Sequence, residues 1–166
     1  MQHLYAPWRS DYVKQDTQGE ECIFCFISKS KISEDTDLRV LYRDDKCFMV
    51  MNRYPYTPGH FMIIPHFHTD SLETLDSDIW LHISNLAQKS VSILKKVLNV
   101  GGVNLGLNMG RIAGAGIPNH LHYHLVPRWS GDTNFITTIG DARVFSTDEL
   151  ELYKKLKKEF ELLRQS

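Results

Sequence analysis

Three histidines stand at alternate positions in "NHLHYHLVPRW", residues 119 to 129: His120, His122 and His124. On an extended strand alternate side chains share a face, so the three imidazoles line up together. Leu121, Tyr123 and Leu125 take the other face and can pack on a helix. Same-face neighbours are about 6.7 Å apart, which separates the outer two by about 13 Å. One zinc ion with bonds of ~2 Å cannot easily take all three from one strand, although two adjacent ones could share it. No glutamate stands nearby as a general base, and the closest acid downstream is Asp132. A three-histidine metallohydrolase is therefore disfavoured. An imidazole can attack phosphorus, and a flanking imidazole can hydrogen-bond a phosphate oxygen. The preceding loop, "RIAGAGIPN", is rich in glycine and lets backbone N–H groups approach an anion closely. Phosphoryl or nucleotidyl transfer through a covalent histidine fits this pattern. The bland alternative, strand histidines bonded to their neighbours, suits one histidine better than three on one face.

These residues need a sheet to hold them. In "TDLRVLYRDDKCFMVMNR", Leu38, Val40 and Tyr42 alternate with polar residues, Asp44-Asp45 turns, and Cys47 to Met51 is an apolar run. This reads as two short strands. "YPYTPGH" is punctuation, and "HFMIIPH" is a strand closed by Pro65. Thr69 or Asp70 could cap a short turn at "SLETL". Ser77 or Asp78 begins a longer helix through Leu98, with Ile79, Ile83, Leu86, Ser90, Ile93, Leu94 and Val97 as its stripe, ended by Gly101-Gly102. "VNLGLNMG" is a strand with Val103, Leu105 and Leu107 on one face. "HLHYHLVPR" is a strand in which Pro127 favours an edge position or the strand end. A terminal helix over 147–165 starts at Thr147 and buries Leu152, Leu156, Phe160 and Leu163. Its lysines and glutamates read as a solvated face. Residues 1–20 read as an irregular arm. Tight links between strands argue antiparallel pairing and an α+β class in a single domain over 1–166.

The bulk numbers agree. The 166 residues are 42% hydrophobic and 23% charged, enough for one domain with a real core. A net charge of −1 offers no broad basic field for long nucleic acid. No apolar run predicts a membrane span, and the N-terminus does not read as a signal peptide. Three cysteines are an odd count, so a disulfide framework is not expected and a reduced, cytoplasmic setting fits better. Cys22 and Cys25 form a CxxC outside any thioredoxin-like βαβ pattern, which disfavours a redox role. Two buried cysteines beside a turn remains an open reading on these residues alone. Cys47, in an apolar run, reads as core. His60 reads as a local backbone tie, Arg128 as either a phosphate-facing group or, preferably, a strand-end tie, and His3 and His82 as surface. Trp8 and Trp129 could wall a pocket or seal a subunit contact.

"HLHYHLV" resembles the signature of the histidine-triad (HIT) superfamily. "CIFC" is similar to its N-terminal metal pair, and "FMVMNRYPYTPGHFMIIPHFH" to its central strand, turn and strand. "YAPWRSDYV", "AGAGIPNHLHYHLVPRW", "GDTNF" and "IGDARV" narrow the resemblance to the bacterial diadenosine tetraphosphate phosphorylase-like branch. The resemblance implies a five-stranded antiparallel sheet carrying the long central helix and the C-terminal helix. It also implies that His122 attacks the α-phosphorus and that His124 binds the phosphate and orients the leaving group. Asn52 would hold the ribose hydroxyls, where an amide can both donate and accept, and Asn108 would lie near the phosphates. Phe48 and Leu41 are candidates for the base pocket. Many HIT hydrolases carry a glutamine four residues before the first triad histidine. Here that residue is Gly116, which leaves backbone N–H exposed and is compatible with attack by inorganic phosphate rather than water. In zinc-bearing relatives the cysteine pair joins two histidines, which match Cys22, Cys25, His68 and His120. This is a closed Cys₂His₂ set, hence structural zinc, with no cofactor required for the chemistry. His66 could replace His68 if the register slipped by two. Relatives are commonly homodimers.

The leading expectation is thus cleavage of dinucleoside polyphosphates through a nucleotidyl-histidine, by phosphorolysis or hydrolysis. A nucleoside phosphoramidate or aminoacyl-adenylate hydrolase needs less room beyond the phosphates. A nucleotide-binding regulatory module would have little use for His122.

Overall fold

Asp44 opens the sheet by turning the chain between its first two strands. Its carboxylate accepts the N–H groups of Lys46 and Cys47, both at 2.9 Å, and so closes the hairpin of β1 (Val40–Arg43) and β2 (Cys47–Met51). The computed structural model describes residues 22–140 and 148–165. β3 (Phe61–Pro65), β4 (Gly102–Leu107) and β5 (Tyr123–Arg128) complete a five-stranded sheet of order β1-β2-β3-β5-β4. Every described pairing is antiparallel, which makes the α+β class that the short links predict.

One face of the sheet carries two helices. α2 (Ser77–Leu98) buries Ile83, Leu86, Ser90, Ile93 and Leu94, and α4 (Glu149–Glu161) buries Leu152, Tyr153, Leu156 and Phe160. They meet Leu41, Met49, Phe61, Ile63 and Leu125 of the strands in one core. The stripes follow the 3.6-residue period because only that face is out of water. The other face of the sheet is covered in part by α1 (Ile23–Lys29), whose Phe24 and Ile27 join Val40, Phe48, Val50, Met62 and Ile64 in a smaller cluster. His124 pairs with Met62 across β3 and β5, so the triad's strand presents His124 on this second face.

Several boundaries differ from the expected ones. Asp76 caps α2 through the N–H of Asp78, and Asn99, left-handed at φ 48°, stops it before Gly101-Gly102. Asp148 caps α4; Thr147 and the arm over 1–20 lie outside the described residues. α1 and α3 (Phe135–Ile139) are helices of seven and five residues, too short to show a period in sequence. β5 begins at Tyr123, so His120 and His122 precede the paired segment. Pro127 lies within an inner strand but past its last pairing with β3, at Leu125, which is the strand-end alternative. Leu105 is 45% exposed because β4 is an edge strand. No described helix is long and apolar enough to cross a membrane.

Candidate active site and metal centre

Extended backbone alone would only aim the three histidines at one side. Their hydrogen bonds decide which nitrogen each one offers. His122 Nδ1 lies 2.8 Å from the carbonyl oxygen of His120, which can only accept. The proton of a neutral ring is therefore on Nδ1 and the lone pair on Nε2. His124 is set from farther away. The backbone N–H of Tyr56 donates to His60 Nδ1 at 3.1 Å, with the Asn52 amide 3.3 Å from the same nitrogen. His60 must then carry its proton on Nε2, which donates to His124 Nδ1 at 2.9 Å. The proton of a neutral His124 is thereby left on Nε2. The rings of His122 and His124 meet edge to face at 4.9 Å, and Tyr56 stacks at 6.1 Å from His124.

Burial disfavours the charged forms of His60 and His122. His60 has no exposed surface, and its pKa is pushed down to about 3 by desolvation first and by the neighbouring His124 and His122 second. Burial also lowers the pKa of His122, against the opposing pull of the His120 carbonyl. A neutral ring with an available lone pair is the form that can attack an electrophile.

His120 turns away to a different neighbourhood. Its Nε2–H donates to the carbonyl of Pro65 at 2.9 Å, which points the Nδ1 lone pair at Cys22, Cys25 and His68. Cys22 Sγ is 3.4 Å and Cys25 Sγ 3.7 Å from that nitrogen. His68 Nδ1 is 3.1 Å from Cys25 Sγ and 3.2 Å from His120 Nδ1. A tetrahedral zinc with bonds of ~2.0–2.3 Å has ligand–ligand edges of about 3.3–3.8 Å. The four side chains fit that shape, and the Pro65 carbonyl supplies the outer bond that usually fixes a ligating histidine. These are the four residues that the histidine-triad resemblance implies. His66 is not part of it: it accepts from Ser28 Oγ and donates to the Asp44 carbonyl. A second group, Asp44, Cys47 and His82, is satisfied internally, since Asp44 Oδ1 accepts two backbone N–H groups and Oδ2 meets His82 at 2.6 Å.

The other sequence candidates divide. Asn52 follows β2 beside His60, and its carboxamide oxygen accepts the N–H of Tyr54 at 2.9 Å. Asn108 follows Leu107, the partner of Tyr123, so the continued register sets it across from His122. Gly116 is half-buried in the loop before His120. Phe48 lies on the site's face of the sheet, but Leu41 packs in the helix-covered core on the far face. A bulge between Val40 and Tyr42 sends Leu41 there, so it is no candidate for a base pocket. Arg128 is a strand-end tie, bonded to both oxygens of Asp132 and to Asn104. Trp129 closes on α2 through Leu98 O; Trp8 and His3 lie outside the described residues. Cys47 is core, as expected.

Two residues of the site escape sequence reasoning. His60 is a relay to His124 and not merely a local backbone tie. Its one signal is its place at the start of a strand after Pro-Gly. Phe24, between the two cysteines, has its ring 5.6 Å from that of His120 and 5.3 Å from that of His122.

Comparison with known proteins places the chain in a family. The AP-4-A phosphorylase of Mycobacterium tuberculosis is 37% identical over 150 residues, covering 87% of this chain and 76% of that protein. An uncharacterised HIT-like protein of Methanocaldococcus jannaschii is 30% identical over 129 residues, covering 78% of this chain and 95% of that one. A crystal structure of a Zn-bound histidine triad family protein from Mycobacterium smegmatis superposes with a TM-score of 0.69 at 25% identity, covering 87% of this chain and 96% of the other. The family profile described as the HIT domain matches residues 33–131. That span holds all five strands, His60, His68 and the three alternating histidines, and by this match the chain belongs to the HIT domain family.

Proposed function

We propose that this chain is a nucleotidyl-transferring enzyme that cleaves a dinucleoside polyphosphate, such as diadenosine tetraphosphate, at an α-phosphate. The observation that carries the reading is the His122 Nδ1–H···O=C bond to His120, which leaves Nε2 as the nucleophilic atom. The kinship with an AP-4-A phosphorylase supports the substrate class.

In the first step Nε2 of His122 forms a bond to the α-phosphorus while the bridging P–O bond breaks. The nucleoside polyphosphate leaves with that electron pair, and Nδ1 keeps its proton on the His120 carbonyl. His124, protonated on Nε2 because His60 donates to its Nδ1, hydrogen-bonds a phosphate oxygen and steadies the leaving group. Asn52 serves the ribose hydroxyls, and Asn108 and the backbone around Gly116 serve the phosphates. In the second step an oxygen of inorganic phosphate attacks, the P–N bond breaks, and its electron pair returns to Nε2. Diadenosine tetraphosphate would yield ATP and then ADP. Water in place of phosphate would release AMP.

Zinc on Cys22, Cys25, His68 and His120 is structural in this reading, since four protein donors leave no open position. Reduced thiols at that centre suit a cytoplasmic setting. A homodimer built on the β4 edge is part of the same reading. Leu105 is 45% and Met109 49% exposed there, and an edge strand offers unpaired backbone groups to a second copy.

The test incubates the protein with diadenosine tetraphosphate, with and without phosphate. ADP formed only with phosphate is the expected result, and equal turnover without it refutes phosphorolysis. His122→Ala should lower turnover by about 10,000-fold while keeping AMP binding, because the covalent route itself is lost. Undiminished turnover of that variant would refute the nucleotidyl-histidine.

A further inference from the structure

Two of the four metal-capable side chains are thiols that solvent can reach. Cys22 is the N-cap residue of α1 and Cys25 lies one turn in, and both are half-buried. Ile23 and Phe26 beside them are each 47% exposed, and His68 across from them is exposed as well. Only His120 of the quartet lies deep, at 1% exposure. The centre is therefore a clasp at the surface, with the cysteines and His68 as its outer side.

The two thiols are also placed to join. The N–H of Phe26 donates to the Cys22 carbonyl at 2.9 Å, so the motif is one closed helical turn. Residues three apart in such a turn have Cα atoms about 5 Å apart. A disulfide spans Cα separations of about 4.4–6.8 Å. The two Sγ atoms already lie within 4.8 Å of each other, and side-chain rotation brings them to bonding distance. The far end of α1 is held without them. Ser28 bonds His66 at 2.7 Å, and the Arg43 guanidinium donates to the carbonyls of Ile27 and Ser30 at 3.3 and 3.2 Å. Bridging the cysteines thus leaves the helix seated and the donors recoverable. Cys47 is the contrast. It has no exposed surface, and burial first and the Asp44 charge second push its thiol up, which withholds the reactive thiolate.

We propose that Cys22 and Cys25 are a peroxide-sensitive dithiol whose oxidation to a disulfide releases the metal and shuts the nucleotide site. One thiolate attacks an oxygen of hydrogen peroxide, the O–O bond breaks, and hydroxide leaves a sulfenic acid behind. The second thiolate attacks that sulfur, the S–S bond forms, the S–O bond breaks, and another hydroxide leaves. The two thiolates lose two electrons and the peroxide gains them. His68 and His120 remain, only half of a four-donor set, so zinc is released. This is not thioredoxin-like exchange, which the sequence disfavours, because no partner disulfide takes part. The His120 carbonyl holds the Nδ1 proton of His122, so loosening the clasp reaches the candidate nucleophile. That last step rests on the reading of His122 given above.

The test treats zinc-loaded full-length protein with hydrogen peroxide. A chromogenic chelator reports released zinc, and a thiol reagent counts cysteines in denaturant. The three thiols should fall to one as the zinc appears, with Cys22 joined to Cys25 in peptide mass spectrometry. Turnover of diadenosine tetraphosphate should drop by about tenfold or more in step, as displaced reacting groups would cause. Dithiothreitol with zinc should restore it. Cys47→Ala should respond as the wild type does; if that variant fails to fold, the wild-type thiol map decides. Zinc retained with three free thiols at millimolar peroxide overturns the proposal. So does a bridge through Cys47, or oxidation that dithiothreitol cannot reverse. Zinc lost with turnover unchanged overturns the switch. A wild type inactive on every dinucleoside polyphosphate sinks the functional reading, while zinc release and the thiol map still decide the dithiol.

Discussion

One backbone amide governs the proton on His124. Tyr56 N–H donates to His60, His60 donates to His124, and each imidazole can hold its proton on only one side while neutral. His60→Phe keeps a ring in the space but removes the donor, so His124 loses its enforced tautomer. We expect kcat to fall by about 10–100-fold, less than the ~100–10,000-fold typical of a direct acid–base group, because His60 acts only through His124. AMP affinity, measured by calorimetry, should change by less than about threefold. A His60→Phe enzyme with wild-type kcat would remove His60 from the relay. Sequence reading reached His122 and His124 because a two-residue period is a local signal. It missed the part His60 plays because His60 and His124 are 64 positions apart and meet only through the pairing of β3 with β5.

At the scale of elements, the metal quartet gathers four segments: the residue before α1, α1 itself, the turn after β3, and the approach to β5. Joining them across such long sequence separations constrains the unfolded chain as well as the folded one. Purified protein should carry about one zinc per chain, as a four-donor set implies. Chelation or Cys25→Ser should lower the melting temperature by several degrees and raise hydrogen exchange first in residues 22–30. A chelated protein with an unchanged melting curve would argue that the quartet holds no ion. The members of this quartet could be named because the resemblance to zinc-bearing histidine-triad proteins implies them; residue type and spacing alone leave the CxxC open. The helix that carries two of them could not, because seven residues with Phe24 and Ile27 buried look the same as an irregular segment until their cover is known.

For the whole molecule, buried neutral histidines predict how stability varies with pH. In the unfolded chain His60 takes up a proton near pH 6.5, but in the fold only at about 3. Between these values the unfolded state binds more protons, so the stability due to this group is complete above pH 6.5 and drains away as pH falls. The slope reaches about 1.4 kcal/mol per pH unit per such group. The groups facing His60 are His124, His122 and Tyr56, and protonation of either histidine would make charging His60 still harder. Urea denaturation at pH 7.5, 6 and 5 should show this loss, and His60→Phe should flatten it. Equal slopes in the two proteins would assign the loss to other groups. The edge of β4 makes a second prediction at this scale. Leu105→Arg should break the dimer proposed above, leaving monomer in light scattering, because a charge on an exposed edge blocks pairing. A wild type that is already monomeric at working concentration would refute the dimer.

The sequence by itself determined the strands, both long helices and the alternation that aims three histidines, since each depends on near neighbours; the four metal-capable side chains were implied only by the resemblance to the histidine-triad superfamily. Tertiary structure alone decided which nitrogen each imidazole offers, because that depends on acceptors such as His120 O and Pro65 O and on the distant His60. It also sent Leu41 to the far face through a bulge that no composition signals, and it brought Phe24 against His122. The periodicity of a strand fixes directions, whereas reactivity is set by distances of about 3 Å between groups, and only packing brings such groups together.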